Sequence, residues 1–267
     1  MLFRALVVSC LALLLLVGCG SEEEASPADT TAATVTEPIQ TIATVPETAP
    51  AIVTVYFLRD GKVGAGSREV VAGPQIGRAA IMELLEGPAT PERAAGLKTA
   101  IPAGTTLESL SIADGLAKVR LSEPRLTGEI VAQVVFTLTQ FPTVREVVFG
   151  VAVDEERVGR ADFEEFSPPV LVESPTIGEP VSSPLRITGT ANTFEATFNV
   201  EVVDGQGRVL GKRFVTATSG SGTRGTFDAE VPFKASGAGP GKLVVFELSA
   251  EDGSRIHEVE IPLQIEP

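Results

Sequence analysis

Histidine occurs once in this chain, as His257, tyrosine once, as Tyr56, and tryptophan not at all. A single imidazole removes most general-base and zinc-type designs at once. The shortage of broad aromatic rings removes the usual stacking platforms of a sugar-cleaving cleft, which would also need two carboxylates about 5 to 9 Å apart. No Gly-x-Ser-x-Gly elbow and no Ser-x-x-Lys motif is present, so the common serine-hydrolase arrangements have no starting point. A surplus of positive charge is missing too. Residues 51–153 are neutral and residues 170–267 carry −5 of the formal −14, which leaves a nucleic-acid role without its electrostatic footprint. Finally, no apolar run is long enough to span a bilayer. The longest, residues 5–17, falls well short of the ~20 residues a spanning helix needs.

That short apolar run is nevertheless the most informative segment present. Arg4 precedes it and Leu16-Val17-Gly18-Cys19 closes it, the layout of a bacterial lipoprotein signal. The expectation is a signal peptide over residues 1–18, cleavage before Cys19, and a diacylglycerol on the Cys19 sulfur, with palmitate-type acyl chains. Two acyl chains anchor stably where one binds only marginally. Cys10 leaves with the signal and Cys19 is consumed by lipid, so no thiol remains for a disulfide or a metal.

Residues 19–50 are rich in Ala, Thr, Ser, Pro and Glu and carry −6 beyond Cys19. Such a segment cannot bury enough surface to offset chain entropy. It reads as a tether whose ends sit roughly 30 Å apart as a flexible coil and about 95 Å apart when stretched as polyproline. Its acidity, Glu22-Glu23-Glu24 included, favours holding the rest of the protein away from an anionic membrane surface.

Residues 51–153 read as an α+β domain. The β-rich run 52–58 predicts a strand covered on both faces, and residues 69–72 a short second strand. Gly64-Ala65-Gly66-Ser67 superficially resembles a phosphate loop, but it lacks the following lysine and helix and reads as a turn. Helical spacing of Gly77, Ala80, Ile81, Leu84 and Leu85 predicts one helix. Around Asp114-Gly115, a hairpin register setting Leu110 opposite Val119 and Ile112 opposite Ala117 separates apolar from polar side chains. A second helix over 128–140, capped by Thr127, and a closing strand over 144–153 complete the order ββαββαβ, with helices packed on one sheet.

Residues 154–169, at −4 and ending in Ser167-Pro168-Pro169, read as an acidic, stiff hinge. From residue 170 helical periodicity disappears. Short β segments over 185–189, 194–203, 208–217, 225–232, 242–250 and 256–265 predict an all-β, immunoglobulin-like sandwich over 170–267 without a disulfide.

Candidate chemistry here is sparse. His257 shares strand parity with Val259 and Ile261 and reads as a partly buried strand-end residue. Glu195, read as lying within a strand between Phe194 and Ala196, is a candidate partner contact or a salt-bridged surface residue, with Arg186 as a candidate ion-pair partner. Asp204-Gly205-Gln206-Gly207 has too few acidic oxygens for calcium and reads as a turn.

Several short motifs occur in a familiar order. Val55-Tyr56-Phe57, Leu84-Leu85-Glu86-Gly87-Pro88, Ile101-Pro102 with Gly104, Val119-Arg120-Leu121-Ser122 and Leu138-Thr139-Gln140-Phe141-Pro142 resemble the GerMN domain of bacterial sporulation and germination proteins. Pro175, Gly178, Ser183-Pro184-Leu185, Gly189-Thr190-Ala191, Phe194-Glu195-Ala196, Gly207, Phe227, Phe246-Glu247 and Ser249-Ala250-Glu251-Asp252-Gly253 are similar to the germination-associated, Gmad-type immunoglobulin-like domain. The resemblance implies a module related to the ring-building domains of sporulation and secretion assemblies. It supplies no catalytic residues.

The expectation is therefore a non-enzymatic lipoprotein at the outer face of the cytoplasmic membrane, held by Cys19. It would use no cofactor and no metal and present surfaces to envelope proteins or to a second copy of itself. A peptidoglycan- or glycan-binding lipoprotein is the alternative.

Overall fold

β-Branched and aromatic residues dominate the first described segment, and they form β1 (Pro50–Arg59), which a turn at Asp60 and Gly61 folds back on β2 (Lys62–Val71). The computed structural model describes residues 49–150, 156–235 and 237–267. Asp60 and Gly61 have φ of 53° and 74°, the left-handed pair that a two-residue hairpin loop requires. Val53, Val55 and Phe57 are buried on one face of β1, Tyr56 and Leu58 on the other. Next come α1 (Ile76–Glu86) and a short α2 (Thr90–Ala94), then the hairpin β3 (Leu107–Ala113) and β4 (Gly115–Leu121), α3 (Gly128–Leu138) and β5 (Val144–Phe149). The expected register holds: Leu110 pairs with Val119 and Ile112 with Ala117. Thr127 caps α3, its hydroxyl accepting from the Ile130 amide at 3.4 Å.

The α+β class stands, but the strands do not make one sheet. β1 and β2 form a two-stranded sheet and β3, β4 and β5 a separate three-stranded one. The reason lies in α3, which is buried nearly all round and carries polar residues inward, Gln133 and Thr137 both at 0 % exposure. These side chains take the place of a neighbouring strand along the outer edge of β1. The Thr54 amide donates to Gln140 Oε1 at 2.7 Å and Gln140 Nε2 donates to the Thr54 carbonyl. The Tyr56 amide donates to Thr137 Oγ1 at 3.2 Å, and Gln133 Nε2 donates to the Tyr56 carbonyl at 3.0 Å. Leu58 exchanges both backbone bonds with Lys98 at 2.8 Å. Every outward group of β1 at these three positions is thus met, as a buried strand edge requires.

The Gly64 to Ser67 stretch is not a turn but the middle of β2. Its glycines answer to close approach. A Cβ on Gly66 would lie 2.1 Å from Glu92 Oε1, and one on Gly64 would lie 2.9 Å from Leu97. Glu92, only 3 % exposed, is held by a two-pronged bond to Arg68, at 2.7 and 2.8 Å, a geometry that favours arginine over lysine.

The second module is a sandwich. β6 (Val170–Ser174), β8 (Leu185–Ala191) and β11 (Gly225–Val231) form one sheet in the order β11-β8-β6. β9 (Thr197–Asp204), β10 (Val209–Thr216), β12 (Gly239–Leu248), β13 (Arg255–Ile265) and the two-residue β7 (Pro180–Val181) form the other, in the order β10-β9-β12-β13-β7. Between them lie Phe198, Val200, Val202, Leu243, Val245, Ile261 and Leu263, with the Phe198 and Phe227 rings edge to face at 4.9 Å. β12 alternates inward residues with Val244 and Phe246, which form a small outer cluster with Val203.

Candidate functional site

Two features distinguish the region where the modules meet: a polar buckle and a cleft beside it. The buckle begins in the stretch read from sequence as a hinge. Over its described part that stretch is a packed element, a 3-10 helix at Arg160–Phe166. Phe163 and Phe166 pack on Tyr56, Leu58, Val63, Ala65, Phe136 and Leu171, a core cluster drawn from both modules. Hydrophobic residues at 163 and 166 and the half-buried guanidinium of Arg160 outweigh the acidic composition that made the stretch look like a connector.

Arg160 is the knot. Its Nη1 donates to Glu173 Oε1 at 2.7 Å, its Nη2 to Tyr56 Oη at 3.0 Å and to the Phe136 carbonyl at 3.1 Å, and its Nε to Thr139 Oγ1 at 2.9 Å. The guanidinium also lies 5.1 Å from the Tyr56 ring centroid and 4.9 Å from that of Phe136, within cation–π range. Tyr56 Oη donates to Glu173 Oε1 in turn. Burial pushes the Tyr56 phenol far above its ordinary range, Glu173 adding to the effect and Arg160 opposing it. Burial works against the Arg160 charge, yet Tyr56 and Glu173 together raise its pKa. At the other end of the same helix, Glu164 accepts from Arg224 at 2.8 and 3.0 Å and from Asn192 at 2.8 Å. Burial alone would raise the Glu164 pKa, but Arg224 and Asn192 outweigh it and hold it low. Arg59 and Lys62 add bonds to the Glu260 and Glu165 carbonyls, and Thr176 donates to Ser67 Oγ.

The cleft, of about 440 Å³, lies between the β1–β2 turn, β6 and β13. Its walls are apolar, including Val63, Ala65, Leu97, Ile177, Val259 and Ile261, and its polar rim is Arg59, Asp60, Lys62, His257, Glu258 and Glu260. Among the described residues no serine, threonine or cysteine lines it. Burial lowers the Arg59 pKa against the pull of Asp60 and Glu260. Among the described residues the carboxyls displaced from their ordinary range, Glu164, Asp204, Asp228 and Asp252, are all lowered, and none of them lines the cleft.

His257 is at the rim of this cleft, half exposed near the start of β13, and sits at φ 53° in a bulge of that strand. Its Nδ1 pairs with Glu247 Oε1 at 2.8 Å, and Glu247 Oε2 accepts from the Phe194 amide at 3.1 Å. Glu195 is exposed and lies not in a strand but in a tight turn before β9, at φ 53°, its amide donating to Ser221 Oγ. Arg186 pairs with Asp228 at 2.6 Å, its cross-strand neighbourhood being β11 rather than the Glu195 turn. Asp204 closes the turn it was read to make, accepting from the Gln206 and Arg208 amides. Cys19, the expected lipid attachment point, lies outside the described residues. Sequence reasoning missed Arg160 and Glu173 altogether. The one usable signal was the unusual lone tyrosine inside an apolar strand, which demands a buried hydroxyl partner.

Comparison with known proteins agrees with this architecture. Residues 54–154 match the family described as sporulation and spore germination, and residues 169–254 match the immunoglobulin-like domain of bacterial spore germination. Among solved structures, the tandem GerMN domains of the sporulation protein GerM from Bacillus subtilis match at 23 % identity, covering 46 % of this chain and 49 % of that one, with a TM-score of 0.35. The first GerMN domain of the same protein matches at 24 % identity over 40 % of this chain and 86 % of that one, with a TM-score of 0.33. The chain thus spans about half the length of the tandem-domain structure. No curated protein matches it.

Proposed function

Since the chain joins a GerMN-type sporulation and germination domain to a germination-type immunoglobulin-like domain, we propose that it is a non-enzymatic binding module of the bacterial cell envelope. In this reading Cys19 carries the lipid, residues 19–50 set the reach, and the two modules act as one rigid head at the outer face of the cytoplasmic membrane. The single observation that carries the binding role is the cleft at the buckle, whose apolar walls and mixed-charge rim belong to both modules. A head that docks as a unit needs its modules fixed relative to one another, and the Tyr56, Arg160 and Glu173 network supplies that fixity. Among the described residues no helix is long and apolar enough to cross a membrane.

The test is protection and crosslinking in intact cells. The proposal expects the head to be cleaved by externally added protease and to crosslink to an envelope protein or to a second copy. A protein that is protected inside the cell and yields no crosslinked species contradicts it.

One observation favours the glycan-binding alternative enough to keep it in view. On the outer face of the five-stranded sheet, Phe214, Asn199 and Phe246 lie in one cross-strand row, and Phe214 is 61 % exposed. Co-sedimentation with purified peptidoglycan, lost on Phe214→Ser, would support that reading; no co-sedimentation would remove it.

A further inference from the structure

Strand β2 has one edge committed to β1 and the other turned away from it. The two-residue turn makes Arg59 and Lys62 a hydrogen-bonded pair, and the register runs on without a slip to Pro50 and Val71. By the alternation of an antiparallel ladder, Gly64, Gly66 and Arg68 then bond inward to β1, while Val63, Ala65, Ser67 and Glu69 turn their amides and carbonyls outward. The same parity on β1 is visible directly in the outward bonds of Thr54 to Gln140, of Tyr56 to α3 and of Leu58 to Lys98.

On β2 the cover is incomplete. The Ser67 carbonyl accepts from Arg68, and its hydroxyl accepts from Thr176. For Val63 and Ala65 the described residues provide no hydrogen-bond partner to the outward backbone groups. Both residues are nonetheless buried, at 2 % and 7 % exposure, and both line the cleft. A strand edge left without a ladder partner is a ready template for a further strand.

We infer that the cleft takes an extended polypeptide segment of a partner protein, which adds as a strand to the β2 edge at Val63 and Ala65. The inference rests on the reading of the chain as a binding module and names the chemistry of its partner. Main-chain amides and carbonyls at the strand repeat of about 3.4 Å match what this edge offers, two donors and two acceptors in alternation. A fatty acyl chain would leave all of them unpaired, and a sugar would not reproduce the alternation. Leu97, Ile177, Val259 and Ile261 provide apolar walls for small side chains of the segment. The rim carries Arg59 and Lys62 together with Asp60, Glu258 and Glu260, so the site selects against a segment of concentrated charge of either sign. The cleft volume of about 440 Å³ falls within the range of ligand sites and suits a few residues of such a segment.

The experiment uses the full chain in detergent micelles, labelled with nitrogen-15, titrated to millimolar concentration with acetyl-Thr-Val-Thr-Val-Thr-amide and with its analogue N-methylated at alternate amides. The inference expects the Val63 and Ala65 amide resonances to shift, their hydrogen exchange to slow, and the N-methylated analogue to bind about tenfold more weakly through loss of its ladder bonds. Equal binding of the two peptides, perturbation confined to other residues, or no response of Val63 and Ala65 overturns it. Displacement of the peptide by a soluble muropeptide or by decanoate, with no preference for the unmethylated backbone, assigns the cleft to those ligands and overturns it as well. Crosslinking in cells is read separately, so failure of the peptide to bind while crosslinks persist removes this inference and leaves the binding-module reading standing.

Discussion

Arg160 Nη1 lies 2.7 Å from Glu173 Oε1, so a guanidinium in the connecting segment grips a carboxylate of the second module while lying against two aromatic rings of the first. The two side chains are 25 % and 24 % exposed, which puts the pair between surface bridges worth ~0–1 kcal/mol and buried ones whose halving costs ~3–5 kcal/mol. Arg160→Ala is expected to cost about 2 kcal/mol and to uncouple the modules. Urea unfolding followed by near-ultraviolet and far-ultraviolet circular dichroism should give one coincident transition in the parent and two in the variant. A single unshifted transition in Arg160→Ala would remove the buckle from the account.

Because Tyr56 is the only tyrosine, its ionisation can be followed by phenolate absorbance alone. The folded-state pKa is raised above the ordinary 10.0, so above pH 10 the unfolded chain releases a proton that the folded chain retains. The unfolded state then binds fewer protons, and stability falls as pH rises. The contribution is fully present below pH 10, where both states hold the proton. Absorbance at alkaline pH should therefore rise together with loss of structure and not before it. Phenolate formation in a chain that keeps its circular dichroism would contradict the burial of this hydroxyl.

Gln133 substitutes for a strand. Its carboxamide accepts from the Ala100 amide at 2.8 Å and donates to the Tyr56 carbonyl at 3.0 Å. Gln133→Leu keeps the bulk but orphans both backbone groups, for an expected loss of about 2–4 kcal/mol at the usual cost of buried unsatisfied groups. Denaturation midpoints check this, and a variant as stable as the parent would show that α3 does not replace a strand edge.

Gly66 carries a comparable constraint. A Cβ there would overlap Glu92 Oε1 at 2.1 Å and push apart the Arg68 pair. Gly66→Ala is expected to destabilise by about 1–3 kcal/mol, whereas Gly237→Ala, with nothing within 4 Å, should stay within about 0.5 kcal/mol. Thermal melting of the two variants side by side distinguishes them.

These residues also mark how far the sequence could be read. The β3–β4 hairpin was legible down to its register because Asp114-Gly115 and the alternation of Leu110, Ile112, Ala117 and Val119 are local signals. The inward face of β9, with Phe198, Val200 and Val202, was legible for the same reason. β2 was read too short because glycines at 64 and 66 signal turns locally, while their actual cause, the approach of Leu97 and Glu92, is set by tertiary packing. The stretch 154–169 read as a hinge because composition records its acidic groups but not that Glu164 is claimed by Arg224, 60 positions away. The cleft was illegible throughout, since its walls come from segments near residues 60, 97, 170 and 260.

Lipid attachment at Cys19 is the premise on which the envelope role depends, and intact mass spectrometry of the native protein from membranes tests it most directly. The account predicts a chain that lacks residues 1–18 and begins at Cys19 with a diacylglycerol on its sulfur, and a Cys19→Ala variant that is not lipidated and leaves the membrane fraction. A native protein recovered with Met1 in place and Cys19 unmodified would contradict it.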